Sequence, residues 1–384
     1  MLADTEAGSV ITVAQSGAQW GYRLLLPNLL LIPAMYLAQE VALRLGLATR
    51  QGAVALVLQR YGRLPAAVLL TALTASCFGA LISEMSGLAG AAQSFGVPAG
   101  VTMAGTVGGL ILIVLTGSYR RVERVALSLG ALELAFVAMA WRASPGLAPV
   151  VHEAAQIPLR DHGYLYLLAA NLGTSVIPWT LLYQQSASVD KRLQPRHARA
   201  ARWETLAGVV LCQIITSALL IAAAATLDRG TALDTVPEIE AAFTATLGIA
   251  AGRIIFVLGL SGGALVATIV VCLTLAWTIG ELLGLRHALE HRPRQAPAFY
   301  LPLSLMLATG GLLVGSGVNL ISLAVGAGVL NALLLPVVLG FLYALARRDT
   351  MGPLCLRGAY AVLVALAFIA TSAACLYAGL AGLL

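Results

Sequence analysis

Charged side chains are scarce in this chain: Asp, Glu, Lys and Arg make up 10% of its 384 residues, against 59% that are apolar. That balance excludes a soluble domain and leaves an integral membrane protein. Cysteine is rare too, and Cys77, Cys212, Cys272, Cys355 and Cys375 lie scattered in or beside apolar stretches. None stands in a CxxC or Cys/His spacing, so they read as packing residues. The five histidines, His152, His162, His197, His287 and His291, fall near loop ends, where solvated polar residues are ordinary. There is no HExxH, no GxSxG and no pair of aspartates facing one another across helices. An intramembrane enzyme therefore has no motif to stand on.

What the chain does have is long apolar runs. A bilayer core of roughly 30 Å takes about 20 apolar residues per helix. Spans read near 22–48, 65–92, 98–118, 120–141, 162–188, 204–227, 252–284, 298–316, 318–346 and 356–383, after a shorter piece at about 5–20. The breaks carry Gly62 to Pro65, Gly96-Val97-Pro98, Ser144-Pro145-Gly146 and Gly352-Pro353. Residues 1–384 thus form one transmembrane domain of ten helices and a fragment, with no soluble domain attached.

Basic residues mark alternate loops: Arg50, Arg60 and Arg63; Arg120, Arg121 and Arg124; Lys191, Arg192, Arg196, Arg199 and Arg202; Arg286, Arg292 and Arg294; Arg347, Arg348 and Arg357. Intervening loops are neutral or acidic, as at Asp228, Asp234, Glu238 and Glu240. By the positive-inside rule the basic loops are cytoplasmic. The chain then reads as multi-pass in the inner (plasma) membrane, N-terminus inside and C-terminus outside. The net charge of +6 is a topology signal, and nucleic acid is not an expected partner.

Two stretches interrupt helical winding. NLGTSVIPWTLLYQQSASVDK, residues 171–191, is apolar enough to span yet carries Gly173 and Pro178 near its middle. Proline removes a backbone donor and clashes with the preceding turn, so unwinding is expected around Thr174 to Ile177. A simple proline kink is the competing reading, and on this feature alone the two stand level. The second stretch, Asp4-Thr5-Glu6-Ala7-Gly8-Ser9, heads the first apolar segment, and carboxylates in a membrane span are costly enough to be functional by default. Read as halves, the chain offers five segments from each interrupted helix and one extra. An odd number of helices per half inverts the second repeat, and paired broken helices point to a midplane binding site.

These residues carry a resemblance. AGSVITVAQSGAQWGYRLL, SEMSGLAGAAQSFGVP, GSYRRVERVALSLGALELAF, GTSVIPWTLLYQQSASVDK, GELLGLRHALEHRPRQAPAFY, and GVLNALLLPVVLGF with RRDTMG follow one another in order along nearly the whole chain. In them the sequence resembles the natural resistance-associated macrophage protein (NRAMP) transporters of divalent metals, and within these the branch associated with magnesium. The resemblance implies an all-α LeuT-type fold: a 5+5 inverted repeat plus an eleventh helix, with discontinuous first and sixth helices. Repeat one would cover about 1–143, repeat two about 161–346 and the extra helix about 356–383.

Counted back from Gly21-Tyr22, the family's Asp-Pro-Gly-Asn motif falls on Glu6-Ala7-Gly8-Ser9. Val10 to Trp20 make about 16 Å of helix at 1.5 Å per residue, roughly half a bilayer. The half-helix that precedes the motif in the family is therefore expected to be missing, through a start placed downstream of the true one; a true short protein is the alternative.

The resemblance also implies a site. Glu6 stands at the acidic ligand position, Ser9 at an Asn position, and Asp4 is a neighbouring acid or the ligand itself if the register shifts by two. The Thr174 carbonyl matches a backbone ligand, and Ile177 stands where the family has a Met. Ala7, Gly8, Gly173 and Pro178 would form the unwound segments. A thioether favours soft transition metals, whereas Mg2+ takes oxygen alone. With Ile177 the donor set is all oxygen, which shifts the expected substrate toward Mg2+ or Mn2+. Gln184, Gln185 and Asn331 are candidates to hold the ion's waters, with polar glue between helices an equal reading for each. Family positions for proton-coupling His and Asp are occupied by Trp179 and Leu81, and Glu84 alone remains, so weak or no proton coupling is expected. The metal is substrate, no cofactor is implied, and the partners are the cation and the bilayer. Proton-coupled symport of Mn2+ or Fe2+, and a carrier of small organic solutes on the same scaffold, are the alternative readings.

Overall fold

The computed structural model describes residues 6–115, 131–143, 145–227, 229–230, 232–283, 297–317 and 319–384, and these fold into helices joined by turns. The first helix, α1 (Ala7–Trp20), passes through a 3-10 turn at Gly21–Leu24 into α2 (Leu25–Thr49). Gly21 takes φ 59°, a conformation open to glycine at little cost, and this ends α1. Short α3 (Ala53–Tyr61) leads to long α4 (Arg63–Gln93) and then α5 (Ala99–Leu115). Two short helices follow, α6 (Ala135–Ala143) and α7 (Leu147–Ala154). The second half holds α8 (His162–Ser175), α9 (Pro178–Asp190), α10 (Ala198–Thr226), α11 (Val236–Leu247), α12 (Ile249–Leu282), α13 (Pro297–Gly315), α14 (Leu320–Ala346) and α15 (Gly358–Leu383).

Among the described residues, seven stretches are long and apolar enough to cross a membrane. One of them, Ala7–Thr49, runs 43 residues, about twice what one crossing needs, and is divided at Gly21. The spans read from the sequence agree with these helices to within a few residues, save that α10 begins earlier, at Ala198. The span read at 120–141 is described from Ala131 onward; Arg120, Arg121, Arg124, Arg286, Arg292 and Arg294 lie outside the described residues.

Burial sorts the helices by depth in the bundle. In the span made of α8 and α9, 94% of the apolar window is buried, against 28% for α15. The broken helix is the centre of the molecule and α15 its edge. Around the centre, α4 packs on α12 and α14, α14 on α8, and α1 on α10, α8 and α4. Small residues permit the closest crossings, as expected where lipid supplies no hydrophobic drive between helices. An ideal Cβ on Gly173 would stand 1.9 Å from the Gly328 carbonyl oxygen, so α8 and α14 meet backbone to backbone. Leu64, Leu112 and Leu312 point outward and are exposed, as lipid-facing side chains are.

Two buried carboxylates are paired with bases. Glu40 on α2, 1% exposed, binds Arg44, Arg202 at 2.8 Å and the Tyr360 hydroxyl at 2.9 Å. Glu240 accepts from Arg253 at 2.6 Å. A buried carboxylate without such partners would be strongly destabilising.

A candidate cation site at two helix breaks

The central helix breaks where proline dictates. Helix α8 ends at Ser175, Val176 (φ −111°, ψ 86°) and Ile177 (φ −90°, ψ 129°) leave the helical region, and Pro178 opens α9 at its first position. Proline suits that position because the amide it lacks would have no partner there. It also cannot donate to the carbonyl four residues back, so the Thr174 carbonyl is left without its helical donor. Other groups nearby are occupied. The Thr174 hydroxyl donates to the Ala170 carbonyl at 2.9 Å, and the Ile177 carbonyl accepts the Thr180 hydroxyl at 2.9 Å. Ile177 itself is fully buried. Gly173 and Thr174, expected in or beside the unwound stretch, are still helical, and the break is confined to Val176 and Ile177. The Gly328 contact explains this, since the α14 backbone braces α8 up to its last turn.

At the head of α1, Glu6 is extended (φ −84°, ψ 165°) and 1% exposed, and its carbonyl accepts the first helical bond from the Val10 amide at 3.0 Å. Ala7 and Gly8, expected to be unwound, already belong to the first turn of α1, with Ser9 buried beside them. The reason lies on α4. The Ala7 amide donates to Glu84 Oε2 at 3.0 Å. A carboxylate at a helix N-terminus satisfies amides that have no partner in the helix and complements its dipole. Asp4 lies outside the described residues.

Glu84 is fully buried, and among the described residues no basic side chain pairs with it. The Glu6 carboxyl hydrogen-bonds to it. Two acids therefore meet at the head of α1. No group of three or more His, Cys, Asp or Glu that could hold a metal exists among the described residues, so any cation here depends on this pair and on carbonyl and hydroxyl oxygens.

The polar residues nominated as water holders are engaged elsewhere. Gln184 donates to the Thr205 hydroxyl at 3.4 Å, Gln185 to the Gln51 carbonyl at 2.8 Å, and Asn331 accepts from Ser76 at 2.6 Å. Each ties its helix to a neighbour, which is the glue reading. Sequence reasoning passed over Asn171, which donates to Ser16 Oγ on α1 at 2.7 Å and accepts from Asn28 on α2 at 3.4 Å; Gln213 on α10 in turn donates to the Asn28 carbonyl at 2.8 Å. This buried chain fastens both broken segments together. Its signal was an isolated amide in an apolar run, four residues before the break.

Comparison with known proteins follows the same line. The model of the natural resistance-associated macrophage protein-like family (Nramp) matches residues 1–381. A divalent metal cation transporter MntH of Bradyrhizobium diazoefficiens is 27% identical over 281 residues, covering 69% of this chain and 62% of the relative. MntH of Staphylococcus aureus is 29% identical over 215 residues, 52% of this chain and 47% of the relative. The matches thus span about half to three-fifths of those relatives' length. Among solved structures, a manganese transporter of Eremococcus coleocola superposes with a TM-score of 0.75 at 18% identity, covering 98% of this chain and 83% of that one. MhsT in complex with L-phenylalanine gives 0.58 at 15% identity, covering 98% of each chain. At such identities the superpositions speak for the fold alone. The family match, over residues 1–381, settles membership: this chain belongs to the natural resistance-associated macrophage protein (Nramp) family.

Proposed function

We propose that the chain carries divalent metal cations, Mg2+ and Mn2+ foremost, across the plasma membrane by alternating access, with little or no coupling to protons. The observation that carries this reading is the meeting of Glu6 and Glu84 at the head of α1, with no basic partner on Glu84 among the described residues. Two acids in contact at low dielectric cannot both ionise without a counter-charge, and a dication is the counter-charge that suits them. The relatives named as divalent metal cation transporters support the same class of cargo.

In this reading Glu6 anchors the ion, Ser9 and the Thr174 carbonyl add oxygen, and Asp4 stands by as a further acid. Ile177 offers no donor atom, which leaves the set hard and disfavours Fe2+ and Cd2+. Basic loops face the cytoplasm, and the two halves are inverted repeats around this site. An inside-negative potential favours entry of a doubly charged ion by about 4.6 kcal/mol per 100 mV, at about 2.3 per charge. Reconstituted into vesicles, the protein is expected to take up Mg2+ and Mn2+ and not amino acids; uptake of amino acids without metal would reverse the assignment.

Proton-coupled symport has one observation on its side. A hydrogen bond between two carboxyl groups needs one proton, which an arriving dication would displace. Against a full relay stand Trp179 and Leu81, both buried and neither able to exchange a proton near neutral pH. Uptake measured with and without an imposed pH gradient separates the two.

A further inference from the structure

Hydroxyls in these helices mostly bond the carbonyl four residues back, as Ser16, Thr74, Thr205 and Thr274 do at 2.7–2.8 Å. Ser83 on α4 does not. It is 2% exposed, and its hydroxyl has no hydrogen-bond partner among the described residues. Leaving a buried hydroxyl alone costs about 1–3 kcal/mol, so a ligand or ion beside it becomes the natural complement.

Its surroundings say which kind. An ideal Cβ on Gly8 would stand 2.3 Å from Ser83 Oγ and 3.4 Å from Glu6 Oε1. Hydroxyl and carboxylate therefore both lie against the first turn of α1, with Ser83 Oγ packed into the space that a Gly8 side chain would need. Glu84, the next residue on α4, holds the Ala7 amide and so fixes this turn against Ser83. Oxygen atoms from two helices thus come together at this turn: a carboxylate from the head of α1 and a hydroxyl from α4.

We propose that Ser83 is an oxygen ligand of the transported dication, acting directly or through one retained water, so that α4 forms a wall of the site together with Glu6. This rests on the cation-site reading above. A hydroxyl serves both forms of the ion, since its lone pairs reach a bare cation and its proton or lone pair reaches a bound water. It also adds hard character without charge, which suits an ion that gives up its waters reluctantly.

The test compares wild type, Glu6→Gln, Ser83→Ala and Ser83→Cys, each shown to be folded by a single gel-filtration peak, in vesicle uptake of Mn2+, Mg2+ and Cd2+. Ser83→Ala is expected to raise the apparent KM for Mn2+ about tenfold, and Ser83→Cys to raise Cd2+ relative to Mg2+ uptake by about tenfold, because a thiol is a soft donor. If Glu6→Gln abolishes uptake while both Ser83 variants keep the wild-type KM and metal ratio, Ser83 is overturned and the cation site stands. Loss of all uptake in both folded Ser83 variants, with no gain of Cd2+, assigns Ser83 to packing and overturns the proposal. Wild-type uptake in Glu6→Gln removes the site itself, and this ligand with it.

Discussion

Glu84, on α4, caps α1 through the Ala7 amide at 3.0 Å, across 77 residues of sequence. The acid therefore has two duties, holding the first turn of α1 and facing Glu6. Substitution separates them. Glu84→Ala leaves the buried Ala7 amide unsatisfied and is expected to cost about 1–3 kcal/mol of stability. Glu84→Gln keeps an acceptor oxygen and loses the charge. Thermal denaturation in detergent should show the first variant destabilised and the second close to wild type, while metal uptake falls in both.

The α8–α14 crossing leaves no room for a side chain at Gly173, where a Cβ would lie 1.9 Å from the Gly328 oxygen and 2.6 Å from the Ala332 amide nitrogen. Both neighbours are backbone, so neither can rotate aside. Gly173→Ala should force the helices apart, with a cost of several kcal/mol in the range of about 1–3 or more known for overpacking, read as a lower melting temperature and loss of uptake. Gly340, with nothing within 4 Å, is the control position, where alanine should be tolerated.

Ile177 is fully buried at the break and supplies no donor atom. Ile177→Met conserves volume and adds a thioether, so folding should survive at a cost under about 1.5 kcal/mol. Competition uptake should then show Cd2+ gaining on Mg2+ by about tenfold, as soft ligands dictate. An unchanged ratio places Ile177 away from the ion.

Two ion pairs should differ sharply in worth. Arg229 and Glu153 meet at 2.5 Å with Arg229 52% exposed, and a solvated pair contributes about 0–1 kcal/mol. The hydrogen bond it donates to Glu153 raises the Arg229 pKa above its ordinary value. A raised base contributes fully below its unfolded pKa and loses that contribution only above it, so this bridge is indifferent to pH between 6 and 8. Glu40 is 1% exposed among Arg44, Arg202 and Tyr360, and its loss strands those partners. Glu40→Ala is expected to cost about 3 kcal/mol and Glu153→Ala under about 1, measured by denaturant titration.

Helix positions were legible in the sequence because membrane spans announce themselves by length and apolarity, and the central break because Pro178 removes a specific donor. Glu6 was legible as an acid where none belongs. The exact limits of the breaks were not, because Ala7 and Gly8 are held helical by Glu84 and Gly173 by Gly328, contacts that no local pattern encodes. Glu84 lies 78 residues from Glu6 in sequence, and only the packing of α4 on α1 brings the two acids together. The amide chain from Ser16 through Asn171 to Asn28 was hidden for a like reason: single polar residues in apolar runs show no partner until the helices are assembled.

The central claim is that Glu6 supplies the charge that draws a dication to the head of α1. Mn2+ uptake into vesicles held at an inside-negative potential, comparing wild type with Glu6→Gln, tests it most directly. The account predicts robust uptake by wild type, steepening with potential and little altered by a pH gradient, and background uptake by Glu6→Gln. Equal uptake by the two proteins would contradict it.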